Sequence, residues 1–156
     1  MPKLNLPEYP LRIRLNKNGK EEILDPVRKR FVRLTPEEWV RQHFLNLLVE
    51  QHKYPASLIH VEASLSYNHL SKRSDIVVYS PQGKPLMAVE CKAPSVGITQ
   101  RVFEQLAMYN FTLKVSYLAL TNGMQHYICR MVPEDGSFAF LEELPPYNEL
   151  HEQFHD

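Results

Sequence analysis

Cysteine is scarce in this 156-residue chain, and Cys91 and Cys129 are too few for a disulfide framework. Only five glycines are present, which excludes collagen. No apolar run approaches the roughly 20 residues of a membrane span. The first twelve residues, MPKLNLPEYPLR, lack the apolar stretch of a secretory signal, so a reducing cytoplasm is the expected location. Net charge is absent too: 18 basic residues balance 18 acidic ones. That excludes a uniformly basic nucleic-acid-coating protein. Internal repeats and low-complexity linkers are missing as well.

What is there is an ordinary globular composition, 44% hydrophobic and 23% charged, in a length that suits one domain. The neutral total hides a polarised distribution. Residues 1–33 carry nine basic groups and four acidic ones, whereas residues 134–156 carry seven acids and no Lys or Arg.

Residues 10–25 read as a hairpin, LRIRL and KEEILD, turning at Asn16-Lys17-Asn18-Gly19, because Asn-Gly favours positive φ. Thr35-Pro36-Glu37-Glu38 is a helix start: Thr35 caps, Pro36 fits the first turn, and Glu38 completes a capping box. Trp39, Val40, Phe44, Leu47 and Leu48 form the apolar stripe of that helix, which should end near His52. LIHVEASL, SDIVVYS and PLMAVECKA then read as strands, the last two dense enough in apolar residues to be buried on both faces. A second helix starts at Thr99, with Val102, Phe103, Leu106, Tyr109 and Leu113 facing the core. VSYLAL, MQHYICRMV and SFAFLEEL are three further strands, with a turn at Pro133-Glu134-Asp135-Gly136. The order α-β-β-β-α-β-β-β predicts a single-domain mixed α/β fold with one central sheet. A basic extension over 1–30 precedes the core at 31–144, and a mobile acidic tail over 145–156 follows it.

The chemistry concentrates at Asp75 and Glu90-Cys91-Lys92. Strand alternation puts Glu90 and Lys92 on one face and Cys91 on the other. A turn symmetric about Gln82-Gly83 sets Asp75 opposite Glu90, with Cβ atoms about 4.5–5.5 Å apart. Two carboxylates so close repel unless a cation joins them. Mg²⁺ prefers one or two carboxylates plus water and phosphate oxygens, and Lys92 beside it suits phosphodiester hydrolysis. The competing reading is structural: Lys92 neutralises Glu90, and Asp75 pairs with Arg73 or Lys72.

Arg73-Ser74-Asp75-Ile76-Val77-Val78-Tyr79, Val89-Glu90-Cys91-Lys92-Ala93-Pro94, Gln105-Leu106-Ala107-Met108-Tyr109-Asn110 and Leu120-Thr121-Asn122-Gly123 together resemble the N-terminal nuclease domain of type I restriction enzyme R subunits. That domain belongs to the PD-(D/E)XK nuclease superfamily. Pro36-Glu37-Glu38-Trp39-Val40-Arg41-Gln42 resembles the start of its first helix, and the likeness covers roughly residues 30–132. The resemblance implies an αβββαβ restriction-endonuclease-like core and Mg²⁺-dependent DNA cleavage, with Mn²⁺ as a substitute ion. It implies Asp75, Glu90 and the Cys91 carbonyl as metal ligands and Lys92 as the catalytic lysine. Gln105, four residues from Tyr109 on one helix face, would bind phosphate or fix Lys92. Glu38 would supply a third carboxylate, with Glu37 its rival and Glu62 a weaker candidate. Arg28, Lys29, Arg30, Arg33, Lys72, Arg73 and Arg101 are potential phosphate contacts.

The sequence departs from the family in having Ser74 where proline commonly precedes the first acid. It also contains no GxxxxGK[ST], the phosphate loop of a translocase, so it is either a free-standing relative or a piece of a longer chain. DNA is the expected partner, with translocase or specificity subunits or a second copy as further ones. The alternative function is a non-catalytic DNA-binding or assembly module that keeps the nuclease fold. The seven histidines show no zinc spacing, although His151 and His155 are four apart. Trp39 reads as a packing residue.

Overall fold

The computed structural model describes residues 1–67, 70–111, 115–132 and 136–152. The turn expected at 133–136 lies largely outside them, as do the side chains of Lys72, Arg73, Tyr109, Leu113, His151 and His155.

The N-terminal hairpin is a three-stranded meander: β1 (Ile13–Leu15), β2 (Glu21–Asp25) and β3 (Arg30–Arg33), all antiparallel. The third strand follows from Asp25. Its buried carboxylate accepts the Val27 and Arg28 backbone N–H groups at 2.8 and 2.9 Å, and this local bonding turns the chain back.

Helix α1 (Pro36–Asn46) begins with one half of the expected capping box: Thr35 Oγ1 accepts the Glu38 N–H at 3.0 Å, but the Glu38 carboxylate turns to Arg28, Arg41 and Gln42 in place of the Thr35 N–H. A π-helical turn over Leu47–Gln51 extends it to His52. Val40, Phe44, Leu45 and Leu48 are buried, and Trp39 and Leu47 are partly so. Trp39 packs edge-on against His43 and donates to the Pro2 carbonyl.

The six-stranded sheet has the spatial order β4 (Ile59–Tyr67), β5 (Leu70–Tyr79), β6 (Pro85–Cys91), β7 (Tyr117–Thr121), β8 (His126–Val132), β9 (Ser137–Leu141). All pairings are antiparallel except β6–β7, which α2 (Gln100–Phe111) crosses over to connect. Met87, Val89, Cys91, Ile76 and Val78 pack on the α1 side, and Val77, Ala88, Leu118 and Leu120 on the α2 side. Alternation along the central strands, apolar on both faces, is what produces this two-sided core. The α2 stripe is narrower than expected: Phe103 and Ala107 are buried, but Val102 is 43% exposed.

The segment after Pro145, expected to be a mobile acidic tail, packs instead as α3 (Tyr147–Glu152). Leu144 and Leu150 enter the α1-side core. Tyr54 donates its hydroxyl to the Pro145 carbonyl, and Tyr147 donates to Tyr79 O at 2.9 Å. Three apolar or aromatic anchors in a short acidic segment outweigh its charge. No helix of the described residues is long and apolar enough to cross a membrane.

The Thr121-Asn122-Gly123 turn locks the end of β7. Asn122 Oδ1 accepts from Met124 N and Gln125 N, and Asn122 Nδ2 donates to Val96 O at 2.8 Å, fixing the loop after β6. Gly123 has φ +86°, and a Cβ there would lie 2.7 Å from Leu4 Cδ2 and 3.2 Å from Val40 Cγ2. Gly123→Ala should therefore cost about 1–3 kcal/mol of stability. A thermal melt is expected to fall by about 2–4 °C for each kcal/mol lost in a chain of this size. An unchanged melting point would contradict the close approach of the N-terminal arm.

Candidate active site

The β5–β6 ladder pairs Ile76 with Val89, Val77 with Ala88 and Val78 with Met87, then slips by one residue between Val78 and Tyr79. Asp75 lies one step beyond the last pair. Its Oδ2 accepts the Cys91 backbone N–H at 2.7 Å, so the carboxylate takes over where the backbone ladder stops. Glu90 alternates in step with Ala88, a residue of the α2-side core, whereas the Asp75 carboxylate is reached from α1 by Arg41. Lys92 Nζ stands 3.5 Å from Glu90 Oε1, and the Lys92 backbone N–H donates to Thr121 O at 2.8 Å, which anchors the strand end to β7. Cys91 is on the opposite face and fully buried, and burial first, then Asp75, raises its thiol pKa well above the ordinary value.

On the other side of Asp75, β4 brings Glu62. It sits between the pairs Val61–Ile76 and Ala63–Ser74, opposite Asp75, in the left-handed region at φ +57°. A non-glycine residue there is a local backbone irregularity, in a pairing whose register is the same on both sides of it. Three neighbouring strands thus carry Glu62, Asp75 and Glu90 at one level of the sheet.

Helix α1 supplies the compensating charge. Arg41 Nη2 donates to Asp75 Oδ1 at 2.8 Å and lies 3.5 Å from Glu37 and 3.9 Å from Glu62. Its other terminal nitrogen bonds Glu38. Arg28 spans Asp25, Glu38 and Glu62, donating to both Glu38 oxygens at 2.9 Å. Gln42 Nε2 adds a 3.0 Å bond to Glu38. Burial opposes both guanidinium charges. The hydrogen bond that Arg41 donates to Asp75 with the Glu38 charge beside it, and those that Arg28 donates to Asp25 and Glu38, outweigh it and raise both pKa values. Asp25 is likewise disfavoured by burial, but Arg28 holds its carboxyl below the ordinary range.

The two acids at the head of α1 therefore differ in environment. Glu38 is buried and fully engaged by Arg28, Arg41 and Gln42. Glu37 is half-exposed and faces an open cleft of about 540 Å³ that Arg33, Arg41, Glu62 and Ala93 also line. Burial first, then the nearby Asp75 and Glu90 charges, raise the Glu37 pKa against Arg41 and Lys92, which lower it. Asp75 and Glu90 keep about a fifth of their side-chain surface exposed (18% and 23%) and Lys92 42%, so solvent reaches all three.

Sequence reasoning did not single out Arg41, although its spacing of three and four from Glu38 and Glu37 on a helix was the signal available. Arg28 is not a free phosphate contact, because its side chain is only 13% exposed and is spent on three acids. Gln105 is exposed on α2. Among the described residues, no group of three or more His, Cys, Asp or Glu side chains is arranged to hold a metal ion. The donor set still suits a hard ion: oxygen ligands from adjacent strands, partly open to water, next to an ammonium.

Residues 36–145 match the family described as type I restriction enzyme R protein N terminus. Among solved structures, the chain is similar to a fragment described as an HsdR subunit of a type I restriction enzyme from Vibrio vulnificus, with a TM-score of 0.54 and 18% sequence identity. The likeness covers 78% of this chain and 25% of that one, and it shows the shared fold. No curated protein matches.

Proposed function

Because this chain belongs to the family of type I restriction enzyme R protein N termini, we propose that the cleft beside Asp75 is a metal-dependent site that hydrolyses DNA phosphodiesters. The observation that carries this reading is the meeting of Asp75 with the Cys91 amide, which brings the two acid-bearing strands together beside Lys92. Asp75, Glu90 and the Cys91 carbonyl would hold Mg²⁺ or Mn²⁺, which when bound supplies Lewis-acid stabilisation of the phosphate.

The chain's own residues divide the remaining work. Lys92 Nζ donates hydrogen bonds to a phosphate oxygen or to the attacking water, and its charge offsets the negative charge that builds there. Glu37, whose proton affinity is raised, is placed to accept a proton from that water. Glu38 acts as a positioning residue, holding Arg41 against Asp75. Gln105 contributes a phosphate contact from α2.

Purified protein incubated with supercoiled plasmid and Mg²⁺ or Mn²⁺ should produce nicked circles, and EDTA should stop the reaction. Glu37→Gln is expected to slow nicking about a hundredfold, within the range of a lost acid–base group, with no change in melting temperature. If Glu37→Gln nicks at the wild-type rate, the proton acceptor is elsewhere.

The direct Arg41–Asp75 ion pair favours a second reading, a non-catalytic DNA-binding or assembly module that keeps the fold, docking on translocase or specificity subunits or on a second copy. Gel-shift binding without nicking under any metal condition would decide for it.

A further inference from the structure

The small N-terminal sheet presents one face to the body and one to solvent. Ile23 is fully buried on the inner face. On the outer face the register aligns Arg14, Glu22 and Arg33 in one row across the three strands. Phe31 lies beside them on β3, and the Arg14 and Arg12 guanidinium carbons stand 3.8 and 5.8 Å from its ring centroid. Arg12, Arg14 and Arg33 are all exposed, as are Lys17 and Lys20 in the β1–β2 turn.

From residue 12 to residue 33 there are eight basic and three acidic residues, a surplus of five in a molecule of zero formal charge. Glu22 takes one arginine, at 2.9 Å from Arg14 Nε, and Asp25 is spent on Arg28. Among the described residues, Arg12, Lys17, Lys20 and Arg33 make no ion pair and are exposed. Stacking on an aromatic ring holds a guanidinium's flat fork in place, and such a group sheds water readily, the combination that suits phosphate. Arg33 also lines the cleft that contains Glu37 and Arg41, so this face runs directly into the candidate site.

We infer that the outer face of this sheet docks the phosphate backbone of duplex DNA and leads it into the cleft. The inference rests on the reading of DNA as substrate, but not on cleavage. Contacts of this kind fix position without reading sequence.

Fluorescence anisotropy with a labelled duplex of arbitrary sequence, in EDTA so that nothing is cut, tests it. Wild-type protein should bind with an affinity that falls linearly in log Kd against log salt. The triple variant R12A/R14A/R33A should bind at least about tenfold more weakly, with the salt slope reduced by about 0.9 for each arginine removed. Replacing all three by lysine should keep most of the slope. Since Arg14 contributes to packing on Phe31, the turn variant K17E/K20E provides an independent reading, and it too should weaken binding. Wild-type affinity and slope in both charge-altering variants would overturn the proposal, as would a wild-type chain that binds no duplex. Nicking that persists while these variants bind normally sinks the surface and leaves the catalytic reading standing.

Discussion

Asp75→Ala is expected to reduce metal-dependent nicking to background, and Lys92→Ala to reduce it by about 10²–10³-fold, the usual cost of removing one group that stabilises transition-state charge. The two variants must be read differently. Asp75 accepts bonds from Arg41 and from the Cys91 amide, so Asp75→Ala also strands a buried guanidinium and a strand-end N–H. Asp75→Asn keeps an acceptor for the amide while removing the charge, and it should be as inactive as the alanine variant yet more stable. Lys92 is 42% exposed, and its ion pair with Glu90 is worth little to folding, so Lys92→Ala should melt like wild type. Metal-dependent cleavage that survives in both Asp75→Asn and Lys92→Ala would overturn the site assignment.

The second large effect is on stability. Glu38→Ala should cost about 3–5 kcal/mol, because breaking a buried ion pair by removing one partner leaves uncompensated charge behind. Two guanidiniums depend on this carboxylate, and Gln42 adds a third donor. Asp25, Glu62 and Asp75 remain to hold Arg28 and Arg41, which sets the expectation at the lower end of that range. Urea denaturation followed by circular dichroism measures it. A loss below about 1 kcal/mol, the level of a surface pair, would mean that the network does not behave as a buried unit.

Much of the fold could be read from the chain because its signals are local. The cap at Thr35, the stripe through Val40, Phe44 and Leu48, and the apolar runs of β5 and β6 depend on neighbours within a few residues. What escaped was set by distant contacts. Nothing near Arg28 announces that its guanidinium closes over Glu38. The acidic composition after Pro145 concealed Leu150, whose burial depends on α1 and the sheet. Glu37 and Glu38 are indistinguishable as letters and separate only once α1 packs on the sheet, which leaves one half-exposed at the cleft and buries the other between Arg28 and Arg41.

The offset expected for Asp75 and Glu90 is that of the neighbouring pairs Ile76–Val89, Val77–Ala88 and Val78–Met87, but it is reached by a different route. The turn closes between Ser80 and Lys84, centred on Gln82 and not between Gln82 and Gly83, with Ser80 N donating to Lys84 O at 2.8 Å. That alone would misplace every pair by one. The irregularity between Val78 and Tyr79 restores the count before Ile76 meets Val89.

The stretch joining the two acids is therefore subject to parity. A single residue lost or gained there, without a matching kink elsewhere, would swap odd for even and separate the Asp75 carboxylate from the Cys91 amide. Changes by two, or a deletion paired with removal of the kink, would be tolerated. Length variation in this hairpin is thus expected to come in coupled steps, even though its tip is exposed.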